Sequence, residues 1–173
     1  MVETASRDWL SRRMINGYCA LLCGGLLGFA LFAEHALGYE PCPLCVLQRI
    51  AVLVVGFIFL AAYAHNPGRT GARVYAILAI IAAGGGLAMA WRQVWLQGLP
   101  ADQVPACGPG YDYIMDVFPL HEALSMIFEG SGDCAEMGWT FLGLSMAGWV
   151  LVWMVGFALV AAWNNFRTVP PRP

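Results

Sequence analysis

"PCPLCVLQRIAVLVVGFIFLAAYA", residues 41–64, places two cysteines and an arginine at the head of a long apolar run. From Val46 to Ala64 the only charged residue is Arg49. About 20 apolar residues in a helix cross a hydrocarbon core roughly 30 Å thick. The stretch therefore reads as a membrane span with a thiol pair at its mouth. Three further stretches share its character, which puts four spans near 14–34, 46–64, 73–91 and 141–163. Composition agrees: the 173 residues are 60% hydrophobic and 12% charged, where soluble domains carry about a quarter charged residues.

The first stretch follows Arg7, Arg12 and Arg13, as a secretory signal would. Its apolar run from Gly17 to Ala33 outlasts the roughly 7–15 residues of a signal core, so it reads as a span. The fold class is an all-α membrane protein, a four-helix transmembrane bundle forming one domain over residues 1–173. Outer loops fall at about 35–45 and 92–140. Residues 1–13 read as a polar arm, and 164–173 as a tail whose "VPPRP" cannot extend a helix. The connection "HNPGRTG" is rich in turn residues and favours an antiparallel up-and-down order.

Charge orients the chain. All nine basic residues are arginines. Arg7, Arg12 and Arg13 precede span one, Arg69 and Arg73 lie between spans two and three, and Arg167 and Arg172 follow span four. The segment 92–140 has Arg92 alone against seven acids, and 35–45 has no arginine. The bias predicts cytoplasmic termini and two loops facing out. Without a basic stripe, nucleic acid is not an expected partner.

Small residues within the spans, Gly24 with Gly28 and the run Gly84–Gly86, suit close helix packing, as do Cys19 and Cys23 on one face of span one. Trp91, Trp95, Trp139 and Trp149 fall near span ends, where indoles favour the membrane interface. In the long loop, Leu120, Ala123, Leu124, Ile127 and Phe128 repeat with helical spacing after Pro119. That predicts a short interfacial helix over about 119–129, lying on the membrane surface or packed on the bundle.

The other four cysteines, Cys42, Cys45, Cys107 and Cys134, all fall on the outer side, where disulfides persist. A C-x-x-C pair can be a staple, half a metal site or a cycling dithiol. As a staple it does little: closing a four-residue ring stabilises by about 2 kcal/mol, against about 3.5 for a ring as large as 107–134. Zinc sites draw on close pairs, and Cys107 and Cys134 are far apart, so no metal is expected. Cys107 and Cys134 themselves could tie down the loop or take part in thiol exchange. Cys45 is expected at the start of span two, where a helix N-terminus favours a thiolate. Arg49 follows one turn later on the same face. A charge within a span is a functional hypothesis, and this one suits both a thiolate and the oxygen of a lipid-soluble electron acceptor. Its alternative is to snorkel to lipid phosphates.

These residues resemble the DsbB family of quinone-dependent membrane thiol oxidases. The match rests on "PCPLCVLQR", on Cys107 in the second outer loop, and on "SGDCAEMGWTFLGLSMAGW" at 131–149. The resemblance implies a bacterial inner-membrane protein with periplasmic cysteine loops. It implies a route in which Cys107 and Cys134 oxidise a periplasmic thioredoxin-fold partner similar to DsbA, with Cys107 taking the mixed disulfide. Cys134 then exchanges with Cys42, and Cys45 delivers electrons to a quinone, ubiquinone or menaquinone, near Arg49. Some relatives have a histidine at the outer end of span three; Arg92 and Gln93 stand there, so Arg92 is the candidate second quinone contact. Gln48 stands where an acidic residue can precede the arginine. Alternatives are a dedicated oxidase for one partner, a reductase of the vitamin K epoxide reductase type, and a non-enzymatic scaffold with structural disulfides. In the reductase family the quinone-facing C-x-x-C comes late in the chain; here it comes first.

Overall fold

The computed structural model describes residues 11–108 and 110–167. Arg7, Arg172 and the proline-rich end lie outside them. Four helices are long and apolar enough to cross a membrane. Helix α1 spans Arg12–Leu37, α2 Pro43–His65 and α3 Arg69–Gln97. Between α3 and the last span come three short helices, α4 Tyr111–Val117, α5 Leu120–Glu129 and α6 Gly132–Ala135. A two-stranded antiparallel hairpin follows, β1 Thr140–Phe141 with β2 Leu144–Ser145, and then α7 Met146–Phe166.

Each span extends beyond the limits expected from hydrophobicity, except at the start of the fourth. Polar residues at helix ends continue a helix when their backbone is capped, as at both ends of α1. Ser11 accepts from the Met14 N–H to open α1, and Gly38 closes it in the left-handed region. Span three runs on through Arg92, Gln93 and Gln97 to Gly98. Span four starts at 146 rather than 141, because Leu142 and Gly143 both take positive φ and turn 140–145 into a hairpin. Ser145 then caps α7 by accepting from the Gly148 N–H at 3.2 Å. At the other end α7 continues through Phe166, so the segment expected as a tail from 164 is helical for three residues more.

In lipid, packing rather than water exclusion joins helices. Helix α3 buries Ala72, Ala76, Ala79, Ala83, Gly86 and Ala90, a small-residue face at three- and four-residue spacing. This lets α3 lie close against α7, its most extensive partner, and against α2. A Cβ on Gly86 would stand 2.9 Å from Met154 Cε and 3.0 Å from Ala51 Cβ. Gly24, Gly28, Gly84 and Gly85 have no such neighbours within 4 Å, so of the expected packing glycines only Gly86 serves. Cys19 and Cys23 are packed in the core with Val52, Val55, Phe59 and Met154, as expected.

The spans pack in the order α1, α2, α3, α7, and the contact closing the circle, α1 on α7, is slight. It is pinned at the end of the bundle carrying the termini. There Asn164 Nδ2 donates to Asn16 Oδ1 at 3.1 Å and Asn16 Nδ2 to Asn165 Oδ1 at 3.3 Å, all buried. Towards the opposite end, where the long loop sits, residues of α1 and α7 line a cavity between them.

The long loop closes over that end. Ala123 and Ile127 of α5 join Cys42, Leu44, Leu47, Leu96, Ile114 and Cys134 in a second core. Leu120, Leu124 and Phe128 of the same helix remain exposed. The amphipathic helix thus divides these residues: Ala123 and Ile127 pack on the bundle, while Leu120, Leu124 and Phe128 face outward.

Candidate active site

The first turn of α2 assembles the site. Pro43 occupies the first helical position, where its missing N–H costs nothing, and Cys42 is the residue before it, in extended conformation. The helix therefore begins three residues earlier than expected. Cys45 lies inside its first turn, and Cys42 acts as the cap. Cys42 Sγ accepts from the Cys45 N–H at 3.4 Å, and the two sulfurs are 2.7 Å apart. A disulfide bond is about 2.05 Å long, so little movement separates this dithiol from a bond.

Cys134 arrives from α6 and is fully buried against the same turn. The Cys42 thiol donates towards it, and with the backbone N–H groups of Ser131 and Leu44 this outweighs burial and holds the Cys134 thiol down to about 6. The helix start that sequence reading assigns to Cys45 thus also serves Cys134. Cys42 is pushed the other way, well above an ordinary thiol, because it donates to Cys134 and to Cys45 and is buried. One protonated sulfur therefore stands between two partners.

Cys107 is exposed, on the loop strand beside α6. The Gly132 N–H donates to the Ala106 carbonyl at 3.1 Å. A Cβ on Gly132 would meet the Pro105 carbonyl oxygen at 2.7 Å and Cys107 Sγ at 3.3 Å. Only glycine lets the Cys107 strand lie two residues from Cys134. Asp133, hydrogen-bonded to Cys107, pushes that thiol up.

On the other side of Cys45 lies an apolar cavity of about 240 Å³ in the opening between α1 and α7. Its walls are largely aromatic, with Trp139, Phe141, Trp149 and Trp153, and its polar end is formed by Cys45, Gln48 and Arg49. Arg49 is ion-paired with Glu34 and donates to the Ala30 carbonyl at 3.2 Å. A second, more polar cavity also reaches Cys42, Cys45 and Arg49, and Glu40, Asp133 and Glu136 line it. The dithiol thus stands between a wet side and a greasy side.

Of the residues singled out from sequence, Cys42, Cys45, Cys134 and Arg49 converge, and Cys107 stands next to them. Arg92 does not line the aromatic cavity. Its guanidinium donates to the Phe128 and Glu129 carbonyls at 3.4 and 2.8 Å and stacks over Trp95, which ties α5 to α3. Glu34 and the aromatic walls were missed. Glu34 had a legible signal, being an ionisable residue inside an apolar span. The aromatic walls had none, because tryptophans near span ends ordinarily mark the interface.

Known proteins resemble this chain over most of its length. Residues 12–164 match the family profile described as disulfide bond formation protein DsbB. Disulfide bond formation protein B of Hahella chejuensis is 53% identical over 159 residues, covering 92% of this chain and 96% of that protein. The protein of the same name from Marinobacter nauticus is 48% identical over 163 residues, covering 94% and 97%. That from Acinetobacter baumannii is 44% identical over 162 residues, covering 93% and 95%.

Proposed function

The chain belongs to the DsbB family of disulfide bond formation proteins, and from that footing we propose that it is a quinone-dependent thiol oxidase of the bacterial inner membrane. Its partner is a periplasmic dithiol protein of thioredoxin fold, similar to DsbA. The termini lie in the cytoplasm and both cysteine loops in the periplasm, in keeping with the arginine bias. The observation that carries this reading is the position of Cys42 between Cys134 and Cys45, with Cys45 in turn lining an aromatic cavity.

The chemistry follows from the sulfurs. A thiolate of the partner attacks Cys107 of a Cys107–Cys134 disulfide. Cys107 is the exposed member, and the backbone N–H groups of Ser131 and Leu44 stabilise Cys134 as it leaves. A second partner thiolate then attacks its mixed-disulfide sulfur, leaving the partner oxidised and Cys107 and Cys134 reduced. Cys134 next attacks Cys42 of a Cys42–Cys45 disulfide, forming Cys42–Cys134 and releasing Cys45 as thiolate. Attack by Cys107 on Cys134 restores the first disulfide and leaves Cys42 and Cys45 as a dithiol holding the two electrons.

The aromatic cavity fits a quinone ring: flat indole and phenyl walls, an always-charged guanidinium at one end, and an opening to lipid between α1 and α7. Cys45, Gln48 and Arg49 would hold its polar edge. A bound quinone supplies a two-electron, two-proton acceptor, allowing the Cys42–Cys45 bond to re-form. Arg49 offers fixed donors to developing negative charge there. The deciding experiment follows quinone absorbance in the purified protein with lipid after a reduced thioredoxin-fold dithiol protein is added. Stoichiometric quinol formation and partner oxidation are expected; partner oxidation indifferent to quinone would overturn the reading.

A further inference from the structure

Gln93 reaches both sulfurs of the C-x-x-C pair at once. From α3 its Nε2 donates to Cys42 Sγ at 3.4 Å and to Cys45 Sγ at 3.3 Å. Its Oε1 accepts from Gln48 Nε2 at 2.6 Å and stands 3.6 Å from Cys45 Sγ, within reach of that thiol's proton. Gln48 and Gln93 are both buried, 3% and 4% exposed. Two buried amides are costly unless their groups are matched, and here the match has a direction. With Gln48 donating to its oxygen, the Gln93 amide must turn its N–H groups to the sulfurs.

We propose that Gln93 is a positioning residue for the thiol exchange, oriented by Gln48, whose amide receives the charge released on Cys45 when Cys42 bonds to Cys134. The inference rests on the relay proposed above. In that step the Cys134 thiolate attacks Cys42 Sγ, the Cys134–Cys42 bond forms, and the Cys42–Cys45 bond breaks. The electron pair of the broken bond leaves on Cys45. No proton and no outside oxidant enters. The new thiolate is half-buried, with the apolar cavity on one side of it, and there an N–H donor counts for more than it would in water. When Cys45 is instead protonated, Oε1 of the same amide accepts its proton. An amide does not titrate, so both roles persist at every working pH.

The test uses the full chain with Cys107→Ser in lipid, carrying one disulfide among Cys42, Cys45 and Cys134. Acid quenching, alkylation and mass mapping give the ratio of Cys42–Cys134 to Cys42–Cys45. Gln93→Leu should lower that ratio about tenfold, the usual scale for losing one hydrogen bond to a charged group. Gln93→His keeps a ring N–H and should return it to within about threefold of the parent, and Gln48→Leu should fall between. An unchanged ratio in Gln93→Leu, with the parent forming both isomers, overturns the inference and leaves the relay standing. An equal fall in Gln93→His and Gln93→Leu also overturns it, because it would make the residue merely structural. A parent that never forms Cys42–Cys134 overturns the relay and the inference together.

Discussion

Arg49 on α2 and Glu34 on α1 form an ion pair that fixes the guanidinium at the edge of the aromatic cavity. A second guanidinium nitrogen holds the Ala30 carbonyl, one helical turn earlier on α1. The charge is thus clamped by its neighbour and still lines the space beside Cys45. Arg49→Gln should raise the apparent quinone KM at least about tenfold, about 1.4 kcal/mol of interaction. Arg49→Lys should be intermediate, keeping charge without the fork. Glu34→Gln should shift KM less, because the charge remains and only its hold is lost. Steady-state titration with quinone in lipid reads all three. Unchanged kinetics in Arg49→Gln, with a loss in Arg92→Gln, would move the acceptor to α3.

Cys42→Ser and Cys45→Ser should each abolish quinone reduction while leaving the bundle folded. A four-residue ring contributes little stability, and serine at position 42 can still cap α2. Helical circular dichroism beside turnover decides the point. A variant that kept full turnover would remove the pair from the chemistry.

Cys134→Ser should accumulate a mixed disulfide between Cys107 and the partner in its disulfide form: the Cys107 thiolate attacks that disulfide, and one partner sulfur leaves as a thiolate. Cys107 is accessible, and the sulfur that would displace the partner is gone. Non-reducing electrophoresis of membranes containing the partner should show the adduct, and Cys107→Ser should remove it.

Cys134 should titrate near pH 6 in the reduced protein. Its folded value lies below the ordinary thiol value of about 8.5. The thiolate's contribution to stability is therefore full above that ordinary value and is lost as pH falls through about 6. Cys42→Ala removes the thiol that donates to Cys134 and should move the midpoint upward. The carbon shift of isotopically labelled Cys134 follows the titration although the side chain is buried.

Much of the architecture was legible because the bilayer imposes a length, and four apolar stretches of that length admit few arrangements. The loop helix was legible from the spacing of Leu120 to Phe128. The hairpin at 140–145 was not, because Phe141, Leu142 and Leu144 are as apolar as a span and only the Leu142–Gly143 backbone betrays the turn. Motif spacing pointed to the four cysteines and Arg49 as chemistry. It could not say that Cys134 would share the α2 N-terminus, since that depends on how α5 and α6 fold back over the bundle. The Gln93–Gln48 pair was visible only as two uncharged residues where relatives can carry ionisable ones.

The cap of α2 is itself a redox group. Most helices begin on a hydroxyl or carboxylate that does nothing else; this one begins on Cys42 Sγ, with the Leu44 N–H turned to Cys134. Any bond change at these sulfurs also changes what the first amides of the span hold. Hydrogen exchange at Leu44, Cys45 and Val46 should therefore differ between the oxidised and reduced protein, and the opening turn of α2 becomes a backbone gauge of its own electron content.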